Sequence, residues 1–388
     1  MQDFEISYEQ LGKKDRDTIV VIDIRDETAF VYGHIMGAIN IPSESFFERT
    51  ENFRKDKEYI IYCKTGVVSK DYVEKMRDNG FTAYNLTGGY VDWLRNHIKD
   101  TNSLEIATKV EESLRKRFKK EIFSKFTKAI KEYDLIQPHD KIAVCISGGK
   151  DSMLLAKLFQ ELQKHHKFEF EVVYLCMDPG YNEANREVIE RNLKMLNIPA
   201  TIFETNIFDS VYTIEKSPCY ICARMRRGHL YSKAKELGCN KIALGHHYDD
   251  VIETILMGML YGGQVQTMMP KLHSTNFEGM ELIRPLYLVR EEDIKRWRDY
   301  NNLYFIQCAC KFTDTCSSEA CLVSSNTGSK RLKVKNLIKQ LKKDDPQIEY
   351  NIFRSVENVN LSTVIAYKDK QNNPHHFLDD YNDKKNKF

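Results

Sequence analysis

Apolar and polar positions alternate along this chain in two separate rhythms. Over residues 1 to 104, short apolar runs such as TIVVIDIR (Thr18 to Arg25) and YIIYCK (Tyr59 to Lys64) alternate with stretches of helical spacing. That alternation predicts a small parallel α/β sheet. A second rhythm begins near Lys141, with strands predicted at KIAVCI, FEVVYLCM, ATIFETN and KIALGHH and helices between them. It is a doubly wound pattern, whose ligands sit at the C-terminal ends of the strands. Residues 105–132 read as a basic helical linker between the two units, and residues 133–325 hold the second one. Residues 326–388 are rich in lysine and asparagine, with one helix predicted at Leu332 to Leu341 and a polar tail, QNNPHHFLDDYNDKKNKF, expected to be disordered.

Composition adds a class. With 388 residues, 42% hydrophobic and 29% charged, the chain suits a globular protein with two or three cores. No apolar run approaches a membrane span, and the N-terminal MQDFEISYEQ lacks a basic start followed by an apolar core, so a cytoplasmic protein with no membrane partner is expected. Ten cysteines there suggest thiol chemistry or metal ligation rather than a disulfide framework. The net charge of +2 conceals an asymmetry: between Lys109 and Lys128 eight basic side chains meet three acidic ones, with Phe118, Ile122 and Phe126 at helical spacing among them. Such a helix suits a polyphosphate backbone, with Lys330 to Lys343 adding to it, or serves as a solvated connection.

Four places carry candidate chemistry. In VCISGGKDSMLLA (Val144 to Ala156) the apolar strand stops at Ser147-Gly148-Gly149 and helical spacing resumes at Met153. A glycine turn of this kind aims backbone N–H groups, together with a helix N-terminus, at an anion, and phosphate is the natural guest. The four-residue spacing of the Walker loop is absent, which argues against a P-loop kinase or GTPase. Cys63 follows a predicted strand and opens CKTGVVSK, where N–H donors and a helix start favour thiolate or persulfide, although a cysteine there also serves as core filler. In GHHYDDVIET, Asp249 and Asp250 fall where strand gives way to helix, placed to hold magnesium or orient substrate, or to cap the helix. The coincidence of two acids and two histidines favours the functional reading. Finally, Cys219 and Cys222 in SPCYICARMRRGHLY stand three apart after Pro218, and Cys308, Cys310, Cys316 and Cys321 follow downstream. Thiols so spaced suit redox chemistry, zinc or an iron–sulfur cluster. Arg224, Arg226 and Arg227 come directly after and are candidates for nucleic-acid phosphate or an acyl-adenylate-like intermediate, or form a solvated helix face.

Resemblances sharpen these readings. The segment DIRDETAFVYGHIMGAINIP (Asp23 to Pro42), the Cys63 loop and NLTGGYVDWL (Asn85 to Leu94) resemble three signatures of a single-domain rhodanese. That resemblance implies a sulfane sulfur carried on Cys63, cradled by Lys64 to Ser69. Where many rhodaneses have arginine this chain has Val68, which fits sulfur received from a protein persulfide, such as that of a cysteine desulfurase, better than an anionic small donor.

SGGKDS resembles the PP-loop of the N-type ATP pyrophosphatases, an adenine nucleotide alpha hydrolase-like fold. The resemblance implies that Ser147, Gly148, Gly149 and Ser152 cradle the phosphates of ATP, that Lys150 neutralises their charge, that Asp151 sits near Mg2+, and that Asp178 contacts the nucleotide region from the next strand end. Residues 109 to 325 resemble the tRNA 2-thiocytidine synthetases, notably in CYICARMRRGHLY, KIALGHHYDDVIET, MLYGG, PKL and IRPLYLVRE. This implies a 4Fe–4S cluster on Cys219, Cys222 and Cys308. A departure to C-x-C at the third ligand lets Cys310 replace Cys308, or complete a zinc site. The implied function is ATP-dependent thiolation of C2 of a tRNA base, first cytidine 32, by a homodimer. Alternatives are a tRNA uridine, a small-molecule acceptor, or a non-catalytic persulfide or iron–sulfur sensor.

Overall fold

The computed structural model describes residues 4–50, 53–99, 103–165, 168–208, 218–306, 330–369, 371–379 and 381. The chain falls into two compact units, Met1–Tyr248 with Met269–Val323, and Asp249–Met268 with Ser324–Phe388.

Two sheets form the first unit. Strands β1 (Glu5–Ile6), β2 (Ile19–Asp23), β3 (Ile39–Asn40), β4 (Glu58–Tyr62) and β5 (Thr82–Leu86) make a sheet of order β1-β5-β4-β2-β3 with every pair parallel. In β2 and β4 nearly every position is buried, which is why they read as unbroken apolar runs rather than as alternations. Helices α1 (Val68–Asp78) and α2 (Gly89–Lys99) belong to this half. The second sheet takes β6 (Lys141–Ile146), β7 (Glu171–Asp178), β8 (Ala200–Glu204), β9 (Lys241–Ala243), β10 (Lys271–His273) and β11 (Glu281–Ile283) in the order β10-β11-β9-β6-β7-β8. All its pairs are parallel except β10 with β11.

The basic stretch is not one helix. It consists of α3 (Ser103–Arg115), a π-helical turn at Lys119–Phe123 and α4 (Ser124–Glu132). Its apolar residues Val110, Leu114, Phe118, Ile122, Phe126 and Ala129 are all buried, so its apolar stripe belongs to the core. That core is continuous: one cluster runs from Ile6, Tyr62 and Trp93 through Val110 and Phe126 to Val144, Leu154, Trp297 and Phe305.

The later helices are α5 (Lys150–Lys164), α6 (Glu183–Met195), α7 (Pro218–Glu236), α8 (Tyr248–Gly262), α9 (Glu291–Tyr300), α10 (Lys330–Asp344) and α11 (Ile348–Ser355). Polar contacts join the two sheet layers. Arg95 of α2 donates from Nε to Glu187 Oε2 of α6 at 2.6 Å, and Arg298 of α9 donates to the carbonyl of Val31 at 3.0 Å. Trp93 meets Tyr304 edge to face at 5.1 Å.

In the second unit, α10 covers the helix predicted at Leu332 to Leu341 and buries Val334 and Ile338. Within the tail expected to be disordered, Pro374–His376 forms strand β13, paired antiparallel with β12 (Ala366–Lys368) just before that tail. The turn between them is held by Asp369, whose carboxylate accepts from the N–H of Gln371 and Asn373 and from Asn373 Nδ2 at 2.8 to 2.9 Å, with Asn372 at φ 68°. Hydrogen bonds from Asn373 Nδ2 first, then the Asn373 N–H, the His375 ring and the Gln371 N–H, hold the Asp369 carboxyl down to about 2.

Candidate active site

Cys63 leaves the C-terminal end of β4 and is 7% exposed. Its sulfur accepts the Gly66 N–H at 3.1 Å and lies 3.3 Å from Ser69 Oγ. Gly66 has φ +77°, and a Cβ there would fall within 3.0 Å of the backbone of Leu86, Gly88 and Gly89, so the loop is threaded tightly against the end of β5. Ser69 is fixed from β5: its hydroxyl reaches Asn85 Oδ1 at 2.6 Å, while Asn85 Nδ2 donates to Gly66 O at 2.9 Å. Asn85 is thereby fixed, and the Ser69 hydroxyl donates towards Asn85 Oδ1 and the Cys63 sulfur. Around this polar seat the rim is apolar, with Val67 66% and Val68 53% exposed. Other thiols differ. Burial pushes the Cys145 and Cys176 thiols of β6 and β7 up to about 12, which makes them inert core residues.

The second strand-end turn is Ser147 to Ser152, between β6 and α5. Gly148 sits at φ +84°, where a Cβ would lie 2.7 Å from Ile189 Cγ1 and 3.2 Å from Ile306 Cδ1. Gly149 is the extended residue before α5, leaving the first N–H groups of a 15-residue helix unpaired by any side-chain cap. Ser152 Oγ accepts the Ser147 N–H at 3.1 Å and donates to Gly149 O at 3.0 Å, which closes the loop on itself. Lys150 is 1% exposed, with Nζ 3.0 Å from Asp151 Oδ2 and 3.4 Å from Glu291 Oε1. Asp151 Oδ1 is buried with no hydrogen-bond partner, and His247 Nε2 stands 3.8 Å from it. The chain leaving β9 lies against this turn: a Cβ on Gly245 would be 3.2 Å from Ser152 N.

Asp178 ends β7 as predicted, but both its oxygens are engaged. Oδ1 accepts from the N–H of Gly180 and Tyr181 at 2.8 and 2.7 Å, and Oδ2 pairs with Arg186 at 2.7 Å. Asp249 and Asp250 lie in the first turn of α8, within the second unit. There Asp250 Oδ1 accepts from Arg331 of α10 at 3.0 Å, and Arg331 also pairs with Glu253 at 3.5 Å. Cys219 and Cys222 are one turn apart near the start of α7. Cys222 is half-buried and packs on the apolar pair Met177 and Ile207. Arg224 and Arg227 are exposed and Arg226 is half-buried. Cys308, Cys310, Cys316 and Cys321 lie outside the described residues, among which no group of three His, Cys, Asp or Glu gathers closely enough for a metal ion.

Three site residues escaped sequence reasoning: Asn85, Glu291 and Arg331. Glu291 closes the stretch IRPLYLVRE and Asn85 opens NLTGGYVDWL, so both stood inside recognisable segments without a role. Nothing in the local pattern marked Arg331 among its lysines.

Comparison with known proteins is consistent with this architecture. Residues 118–311 match the PP-loop domain model and residues 7–96 the rhodanese-like domain model. A tRNA-cytidine(32) 2-sulfurtransferase of Neisseria meningitidis serogroup C is 41% identical over 186 residues, which are 46% of this chain and 57% of that protein. The chain thus spans little more than half of that relative's length. A tRNA-cytidine(32) 2-sulfurtransferase of Acaryochloris marina is 35% identical over 240 residues, 61% of this chain and 80% of that protein. Among solved structures, the U34-tRNA thiolase NcsA from Methanococcus maripaludis with its 4Fe–4S cluster shares 22% identity over 60% of this chain and 76% of that one, with a TM-score of 0.47.

Proposed function

Because the chain belongs to the PP-loop family that includes the tRNA-cytidine(32) 2-sulfurtransferases, we propose that it is an ATP-dependent tRNA sulfurtransferase acting at C2 of a base, cytidine 32 before any other. Residues 1–104 act as the rhodanese domain, 105–132 as the basic connection, 133–325 as the PP-loop domain and 326–388 as an extension. The observation that carries the reading is the Ser147 to Ser152 turn. It combines open helix N–H groups, a buried ammonium and a buried carboxylate oxygen without a hydrogen-bond partner, which together suit a magnesium-bound polyphosphate.

The base's C2 oxygen attacks the α-phosphorus of ATP, pyrophosphate leaves, and the oxygen becomes a good leaving group. Sulfide sulfur then adds at C2 and AMP departs, so one C–O bond is replaced by one C–S bond. Gly148, Gly149 and Ser152 orient the phosphates, and Lys150 balances the charge that develops on them. Asp151 would hold Mg2+, a role supported by the lack of a hydrogen-bond partner at its buried Oδ1. Asp249 and Asp250 serve as acidic groups for magnesium or substrate. Cys63 receives a persulfide sulfur from a donor protein such as a cysteine desulfurase. A dithiol reductant, itself oxidised to a disulfide, releases that sulfur as the sulfide used at C2 and returns Cys63 to its thiol. The exposed Val67 and Val68 suit a protein donor better than a small anion. Cys222, half-buried among apolar side chains and one turn from Cys219, suits a soft thiolate donor set. With Cys308 these residues would hold a 4Fe–4S cluster, which when bound supplies an iron open to sulfide, whereas inclusion of Cys310 would make a zinc site.

Nucleoside mass spectrometry of tRNA from cells with and without the gene tests the reading. Selective loss of 2-thiocytidine is the expected outcome. Loss of a 2-thiouridine instead would change the base, and an unchanged profile would remove tRNA as the substrate.

A further inference from the structure

Resting on the reading of Ser147 to Ser152 as the phosphate loop of ATP, we propose that Glu291 is the positioning residue of Lys150. Lys150 is 1% exposed, and a buried ammonium is retained only beside opposite charge. Two carboxylates meet it, Asp151 at 3.0 Å and Glu291 at 3.4 Å. They are not equivalent. Asp151 is the adjacent residue on the same helical turn, and its other oxygen is buried without a hydrogen-bond partner, with His247 Nε2 3.8 Å away. A cation held on that oxygen would compete with Lys150 for the same carboxylate. Glu291 approaches from a different element, as the first residue of α9, and is itself 8% exposed.

The anchoring of α9 gives Glu291 its precision. Trp297 is fully buried in the core, and Arg298 is tied to the Val31 carbonyl at 3.0 Å. Lys295, one turn along, pairs with Glu291 at 3.1 Å and fixes the carboxylate from its other side. An acidic residue in the first turn of a helix is also favoured by the helix dipole. Glu291 thus keeps the Lys150 ammonium balanced and in place while Asp151 would serve the metal. The interaction acts on phosphate through Lys150 and makes no contact with substrate of its own.

The test is equilibrium binding of magnesium α,β-methylene-ATP to the full chain, in a double-mutant cycle. Glu291→Gln is expected to weaken binding about tenfold, the scale of one charge-assisted contact. Glu291→Asp, which keeps the charge, should recover most of that loss. Lys150→Ala should weaken binding at least as much, and adding Glu291→Gln to it should cost nothing further, because the two act as one unit. Full additivity of the two substitutions, or unchanged binding by Glu291→Gln beside a weakened Lys150→Ala, would overturn the inference while leaving the nucleotide site standing. Unchanged binding by Lys150→Ala would overturn the nucleotide reading itself and this inference with it. Should Glu291→Gln not fold, Glu291→Asp carries the same cycle: a residual loss of about twofold that vanishes in the Lys150→Ala background supports the inference, and one that persists there overturns it.

Discussion

Cys63 and Ser147 each leave a parallel strand, after Tyr62 and Ile146, and each is followed by a glycine at positive φ and then by a helix. From that shared backbone the two turns diverge. The Cys63 turn is satisfied by near neighbours, Gly66, Ser69 and Asn85, and opens through an apolar rim. The Ser147 turn instead closes its backbone through Ser152 and then draws on a distant helix for the carboxylate against Lys150. On the proposed reading, the contrast follows the cargo. A sulfur atom is large, polarizable and weakly hydrated, so one N–H and a greasy mouth are enough. A polyphosphate demands fixed positive charge, and fixed charge in a buried place must be balanced from elsewhere.

The strongest break of this comparison is Gly148→Ala. The new Cβ meets Ile189 at 2.7 Å in a backbone conformation costly for any L side chain, so the loop N–H groups must shift. AMP formation from ATP in the presence of tRNA should fall about 100-fold or more, as when one preorganised donor is lost. Sulfur loading of Cys63 from a persulfidated donor should be unaffected. If loading falls as well, the two turns are not independent. A smaller effect is expected from Cys63→Ser: thiolation with a protein persulfide donor slows about 10- to 100-fold, the value of a positioned carrier, whereas free sulfide sustains the unmodified rate. Failure with free sulfide would show that Cys63 does more than relay.

The least effect separates Cys63 from the core thiols. Burial raises Cys145 and Cys176 from 9.0 to about 12, so the folded chain keeps both as neutral thiols where the unfolded chain ionises them. The stability they contribute is complete below pH 9 and is lost as pH rises towards 12, at about 1.4 kcal/mol per thiol by one unit above the unfolded value. Urea midpoints measured across that range should fall less steeply in Cys145→Ala than in the wild type. An identical slope would remove the thiol from the alkaline limb.

Much of this was legible in the sequence because strands buried on both faces announce themselves as apolar runs, and both sites follow such runs directly. SGGKDS and Cys63 therefore fell where expected. Asp178 shows the limit: its place at a strand end was readable, but the capture of its oxygens by Gly180, Tyr181 and Arg186 depends on the path of the following turn. Lys150 and Glu291 meet across a sequence separation that no local period encodes. The basic stretch misled in another way. Its charges suggested a linker helix, while Phe118, Ile122 and Phe126, equally visible, were the residues that decided its burial. The hairpin near the C-terminus was missed because a single aspartate, not an apolar run, organises its turn.

The continuous core beneath both sheets bears on ancestry. Trp93 and Tyr304 face each other across the junction, and Arg298 reaches from α9 to Val31. A gene fission that set the rhodanese-like half free would uncover aromatic surface on both products and strip α9 of a tether. Reversing the fusion would require new solvent-facing residues at each of these positions at once, so the joined arrangement is one that single mutations cannot readily undo.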